Sequence, residues 1–270
     1  MSIDAAKLIA VSSRFLLVVT MFFNSEPKMP FVFDANELEQ LALKYQAKYA
    51  VALPFKHIVL DDFLPELYAE SLLRNFPSPS SDVWFDWRER ETVHQSRKQG
   101  AGHASRMTNL SPYIHNVLQA FNSYPFLNFL EKLTGIQKIL PDPYFHGGGV
   151  HQILPEGKLA IHTDFNDHHR LNLYRCINVL FYLNKDWKET YNGNLELWAG
   201  DLSKCEKSIL PIFNRLVIFN TNKKSFHGHP KPLKTPNGIT RKSLALYYYT
   251  ALPISGEKYD GNTDWQEVNL

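Results

Sequence analysis

From Pro141 to Thr250 the chain breaks into short runs of β-branched and aromatic residues, each closed by Gly, Pro, Asn or Asp, and this texture most limits its fold. The runs are Tyr144–His151, Leu159–His162, Arg175–Leu183, Asn194–Trp198, Arg215–Phe219, Ser225–His229 and Ser243–Thr250. Many short strands separated by frequent turns predict an antiparallel sandwich or barrel. Upstream, apolar residues at helical spacing predict helices over Asp34–Tyr49, Pro65–Leu73 and, as one helix or two, Ser111–Leu133, with Gly135 as the stop. A short strand, His57–Leu60, falls between the first two. Helices first and strands afterwards imply helices packed outside a single sheet system. The expected fold is mainly β with flanking α. Residues 1–28 form a leader of uncertain structure, and 29–140 a helical part with a polar, lid-like loop over 77–108. Residues 141–255 form the β core and 256–270 a C-terminal tail.

At 270 residues, with 44% hydrophobic and 21% charged residues, the chain has the balance of a globular protein with a sizeable core. Its net charge of +2, without a long Lys/Arg block, argues against a nucleic-acid partner. Two cysteines, Cys176 and Cys205, exclude a disulfide framework and suggest a reducing, cytoplasmic setting. The apolar run Phe15–Phe23 is too short to span a bilayer, and no small-x-small cleavage site follows it, so no stable membrane span is expected.

Chemistry concentrates in His162-Thr163-Asp164. On an extended strand, residues i and i+2 point the same way, so an imidazole and a carboxylate can grip one ion from adjacent corners. H-x-D alone is weak, since a turn with a capping Asp and a surface His looks the same. Order and context strengthen it: a strand precedes the pair, and His227 follows 63 residues after Asp164 on another strand. Two His and one carboxylate leave three positions of an iron open, the facial arrangement that suits non-haem iron(II) oxygenases. Arg241, 14 residues past His227, opens a strongly apolar strand where a guanidinium is expensive unless paired. Its planar fork fits a carboxylate, and Ser243 shares its face.

These residues, with the segments HTDFN (162–166), CINVLFYLN (176–184), NGNLELW (192–198), NRLVIFNT (214–221), SFHGHP (225–230) and RKSLALYYYT (241–250), make the chain resemble the 2-oxoglutarate/Fe(II)-dependent dioxygenase superfamily, particularly its prolyl-4-hydroxylase-like branch. HIVLDDFLPELYAESLLRNFP (57–77) resembles the strand and helix that often open such domains. The resemblance implies a double-stranded β-helix, or jelly roll. It implies iron(II) held by His162, Asp164 and His227, and 2-oxoglutarate anchored at Arg241 and Ser243. It also implies dioxygen as oxidant, with ascorbate as an optional reductant. The implied reaction is oxidative decarboxylation of 2-oxoglutarate to succinate coupled to hydroxylation of substrate. One departure is a long gap between His227 and Arg241, read as a turn insertion at 232–238.

Other residues divide less cleanly. His229, two past His227, faces the cosubstrate pocket or is a core histidine; Asn178 hydrogen-bonds the cosubstrate or is structural. His168 and His169 are expected exposed on a polar loop, while Tyr144, His151 or Gln152 are candidates to face substrate. Trp198, Phe181 and Tyr247–Tyr249 are expected to be packing, with one Tyr hydroxyl reaching the pocket. A cap over 77–108 would offer Arg88, Arg90, Arg97 and Arg106 to acidic groups. The expected substrate is a small metabolite or an amino-acid-like molecule. The alternatives are a peptidyl, prolyl-type substrate and, more remotely, a non-catalytic jelly-roll module or a zinc hydrolase.

Overall fold

A computed structural model describes residues 30–86, 94–102, 108–168, 170–254 and 261–268. The chain divides into two compact units, Met1–Pro30 and Phe31–Leu270, and all that follows concerns the second. The apolar run at 15–23, Arg88, Arg90, Arg106 and His169 lie outside the described residues.

Four α-helices lead among the described residues. Helix α1 (Ala35–Ala50) starts where the Asp34 carboxylate accepts from Asn36 N and Glu37 N at 2.8 and 3.0 Å, satisfying two of the open amides of its first turn. Helix α2 (Glu66–Arg74) follows Pro65. Helix α3 (Pro112–Phe121) is capped by Ser111, whose Oγ accepts from Ile114 N. Helix α4 (Tyr124–Thr134) begins after a break at Asn122 and Ser123, so the expected stretch is two helices, and it stops before Gly135. No described helix is long and apolar enough to cross a membrane.

The strands are β1 (His57–Leu60), β2 (Phe85–Asp86), β3 (Gln95–Ala101), β4 (Leu140–Pro141), β5 (Gly149–Thr163), β6 (Asp167–His168), β7 (Leu173–Tyr182), β8 (Leu195–Trp198), β9 (Cys205–Ile209), β10 (Arg215–Asn220), β11 (His227–His229), β12 (Arg241–Thr250) and β13 (Asp264–Gln266). They form one curled antiparallel system in the order β1-β10-β7-β12-β5-β11-β8-β9. Strand β5 belongs to both halves of the jelly roll: its first part pairs with β12 and its second with β11.

Burial on both faces explains why the central strands read as apolar throughout. Ile177, Val179 and Phe181 of β7, with Leu244, Leu246 and Tyr248 of β12, face the helices and join a core that contains Phe31, Phe33, Phe121, Phe126 and Phe129. The Tyr248 hydroxyl donates to Phe121 O at 2.9 Å, tying sheet to helix. The alternate residues, Leu180 and Tyr182 with Val217 and Phe219, face inward against Leu195, Leu197 and Ile209.

Three regions depart from expectation. The polar stretch 77–108 contains β2 and β3, and β3 pairs along β5. The tail contributes β13, which pairs with Ile161–Thr163 of β5. Tyr144–Gly148 is a turn and not strand, because the Asp142 carboxylate accepts from Tyr144 N and His146 N, at 2.8 and 2.5 Å, and holds the chain bent.

Candidate active site

The inward row of β12 is Arg241, Ser243, Ala245 and Tyr247; that of β7 includes Asn178 and Leu180; that of β5 includes His151 and Ile153. All of them line one cavity of about 250 Å³, together with His162, Asp164, His227 and His229. Strand alternation puts the β7 and β12 residues there, and an irregular stretch of β5 brings His162 to the same face as His151 and Ile153.

His162 and His227 are direct cross-strand partners on β5 and β11, with ring centroids 4.5 Å apart. Asp164 follows β5 by one residue, and one ligand atom from each of the three lies within 4.8 Å of the others. Gly228 allows this approach: a Cβ there would stand 2.6 Å from Ala160 O and 2.9 Å from Leu159 O. His162 Nδ1 lies 2.8 Å from Ala160 O, and His227 Nδ1 2.9 Å from Ser225 O. A carbonyl can only accept, so both Nδ1 atoms carry protons, and both Nε2 atoms face Asp164 as the atoms available to a metal, the arrangement of metal-ligating histidines. Nε2 to carboxylate distances are 3.6 Å for His162 and 3.3 Å for His227.

Asp164 is held from behind. Arg175 Nη2 donates to its Oδ2 at 3.0 Å, and Asn178 Nδ2 donates to the same oxygen at 2.7 Å. Asn178 Oδ1 in turn accepts from Arg175 Nε at 2.8 Å, so both ends of the amide are engaged by neighbouring side chains. Burial pushes the Asp164 carboxyl up, but Arg175, His227 and His162 outweigh it and hold the group well below the usual range. Burial, and then the neighbouring His227, lowers His162, keeping its imidazole neutral. A neutral imidazole beside an ionised carboxylate suits a divalent ion, whose ligands must be deprotonated. Two nitrogens and one carboxylate oxygen suit iron(II).

Arg241 is 6% exposed. Its Nε donates to Gly193 O at 2.7 Å and its Nη2 to Tyr182 Oη at 3.0 Å. No carboxylate among the described residues pairs with it. Ser243 and His229 line the cavity with it, and both ring nitrogens of His229 are buried without a hydrogen-bond partner. Burial and then Arg241 push His229 well below its ordinary value, so it is neutral and can donate one hydrogen bond. An unsatisfied imidazole beside a guanidinium that lacks a counter-ion fits the far carboxylate of 2-oxoglutarate.

The remaining sequence candidates scatter. His151 lines the cavity; Gln152 faces away and bonds Gln99 and Thr240. Tyr144 lies under the Arg170 guanidinium, outside the cavity. His168, expected exposed, is fully buried, its Nε2 3.4 Å from Asp142 Oδ1. Trp198 and Phe181 are core, and Tyr247 lines the cavity while donating to Gly147 O at 3.1 Å. Arg97 is engaged with Glu156 at 3.0 Å.

Sequence reading missed Arg175, Gln95, Lys98 and Trp265. Arg175 carried the same signal as Arg241, a guanidinium in an apolar strand. Gln95 and Lys98 come from β3, and Thr263 and Trp265 from the segment around β13; all four line the cavity. Trp265 is the cross-strand partner of His162, their rings 4.8 Å apart, and stacks on His94 at 5.6 Å.

Residues 148–249 match the model of the 2OG-Fe(II) oxygenase superfamily. No curated protein sequence matches the chain. Among solved structures, a prolyl hydroxylase from Trichoplax adhaerens, in complex with a hypoxia inducible factor oxygen degradation domain peptide, superposes with a TM-score of 0.54. It is 17% identical, over 79% of this chain and 91% of that one. A Pseudomonas putida prolyl-4-hydroxylase gives 0.48 at 17% identity, over 77% and 98%. HygX from Streptomyces hygroscopicus, with nickel and 2-oxoglutarate bound, gives 0.48 at 10%, over 76% and 86%. Residues 148–249 are thus those of a 2OG-Fe(II) oxygenase domain, and the chain shares the fold of a prolyl hydroxylase. It is a non-haem iron dioxygenase that uses iron(II), 2-oxoglutarate and dioxygen.

Proposed function

We propose that the protein hydroxylates an unactivated C–H bond of a small metabolite or amino-acid-like substrate. In this reading His162, Asp164 and His227 hold the iron, and Arg241 holds the far carboxylate of 2-oxoglutarate. The observation that carries the reading is Arg241. A guanidinium this buried requires a negative partner, and among the described residues lining the cavity the one carboxylate, Asp164, is engaged by Arg175 instead. Iron and 2-oxoglutarate, when bound, supply the oxidative decarboxylation that drives the hydroxylation. The chain's own groups do the rest. Ala160 O and Ser225 O fix the two imidazoles. Arg175 and Asn178 orient the Asp164 carboxylate. Ser243 and His229 stand beside Arg241, and Ile153, Leu180 and Ala245 keep the cavity wall dry.

A small substrate is favoured by the cavity's size and by its two additional walls, β3 and the β13 segment. The two free thiols, Cys176 and Cys205, support a reducing, cytoplasmic setting, and the near-neutral charge speaks against nucleic acid as partner. A peptidyl substrate is the second reading, favoured by the shared fold with an enzyme solved in complex with a peptide. Anaerobic addition of iron(II) and 2-oxoglutarate should produce a weak visible charge-transfer band. Succinate release should then rise with one class in a screen of amino acids, small acids and proline-containing peptides. Absence of the band, or its persistence unchanged in His162→Ala, would refute the ligand assignment.

A further inference from the structure

The inward wall of the jelly roll carries two cations in one row, Arg241 and Lys98, of which the proposed reaction accounts for Arg241 alone. Ile153 of β5 has Arg241 as its partner on one side and Lys98 of β3 as its partner on the other. Residues directly opposite across strands present their side chains to the same face, so all three face the cavity, and all three line it. The backbones of Arg241 and Lys98 are two strand spacings apart, about 9.6 Å.

Lys98 faces inward because the strand is irregular at that point. Gln95 pairs with Leu159 and Ser96 with Lys158, but Lys98 pairs with Ile153. There one β3 residue, Arg97 at φ 52°, stands opposite four residues of β5, 154–157, and its side chain is fixed outside by Glu156 at 3.0 Å and Pro155 O at 3.2 Å. In a regular strand residues 95 and 98 would face opposite ways; the bulge turns both into the cavity, a use of bulges common beside active sites. Gln95 Oε1 accepts from Lys98 Nζ at 3.5 Å. Lys98 lies close enough to Asp164, Arg175 and Arg241 to feel their charges. Among the described residues lining the cavity, Asp164 is the one acidic group, and it is engaged by Arg175 from behind. A cavity so lined favours anions.

We propose that Lys98, with Gln95 beside it, forms a second carboxylate-binding subsite in this cavity, and that the substrate carries the carboxylate it receives. The inference rests on the function proposed above and narrows its substrate to carboxylate-bearing molecules. A carboxylate could also come from 2-oxoglutarate itself, so the test separates the two sources.

The anaerobic iron(II)·2-oxoglutarate band of the wild-type protein is titrated with free L-amino acids and simple monocarboxylates, each matched with its carboxamide. Acids should perturb the band at concentrations about tenfold lower than their carboxamides, the loss expected when a charged pair becomes a neutral one. Lys98→Met should abolish that preference, and Lys98→Arg should restore most of it, with thermal midpoints confirming that both variants fold. A panel in which no acid perturbs the band, or acid and carboxamide act alike, overturns the proposal, as does an acid preference surviving in Lys98→Met. A roughly tenfold weaker 2-oxoglutarate titration in Lys98→Met would assign the carboxylate to the cosubstrate and overturn the substrate assignment. A wild-type protein that gives no band at all removes the underlying function, a result distinct from each of these.

Discussion

Arg175 donates to Asp164 Oδ2 from a side chain fully withdrawn from water, with the Tyr247 ring 3.4 Å from its guanidinium carbon. The carboxylate thus presents its other oxygen, Oδ1, on the side of His162. Arg175→Met should weaken iron(II) binding by about 10- to 100-fold, the usual cost of removing an outer partner of a ligand. It should also destabilise the metal-free protein by about 3 kcal/mol or more, because Asp164 keeps its burial and loses its counter-charge. Metal titration and thermal denaturation read the two effects separately, and an unchanged affinity would remove Arg175 from the site.

Loss of Arg241 should act on the cosubstrate alone. Arg241→Met removes a charge-assisted pair worth about 2 kcal/mol, so the KM for 2-oxoglutarate should rise by more than about tenfold. Iron binding in the absence of 2-oxoglutarate should be unaffected, since Arg241 touches Gly193 and Tyr182 and none of the three ligands. An unchanged cosubstrate dependence would point to another cation, Lys98 first.

Backbone contact should be as sensitive as side-chain chemistry at Gly228. A methyl group there meets the carbonyls of Ala160 and Leu159, which are backbone and cannot swing aside. Gly228→Ala should push β11 from β5, at a cost of about 1–3 kcal/mol, and separate His227 from His162. Reduced metal affinity with a lowered thermal midpoint is expected; wild-type affinity would mean that the strands part elsewhere.

Acid should destabilise the fold earlier than its carboxylates require. Burial, then Lys98, holds His151 well below its ordinary value, and burial also lowers His57. Both are neutral when folded and take up protons when unfolded. Stability is therefore retained above about pH 6.5 and lost as pH falls below it, by up to about 1.4 kcal/mol per pH unit for each group. His151→Gln should flatten the slope of thermal midpoint against pH between about 6.5 and 5; an unaltered slope would assign the effect to other groups.

The elements that the sequence disclosed are those with a local signature. His162 and Asp164, and likewise Arg241 and Ser243, sit two apart on or just past strands whose alternation is visible in the chain, and the caps Asp34 and Ser111 mark helix starts. What stayed hidden depends on distant partners. The polar sequence of β3 reads as loop because it is a strand only by virtue of pairing with β5. Lys98 faces inward through a bulge that spacing cannot reveal. His168 looks like a solvated loop residue until Asp142, from before β5, meets it in the interior.

Strand β5 has one more consequence. Its Ile153 is partnered by Arg241 and its His162 by His227, so both extremes of the cavity are mounted on a single continuous stretch of backbone. The span is a covalent ruler, set by bond lengths and one irregular segment and not by how separately folded pieces dock. In the proposed binding mode, the length of diacid that fits is set first by this main-chain spacing and then by the reach of the Arg241 side chain.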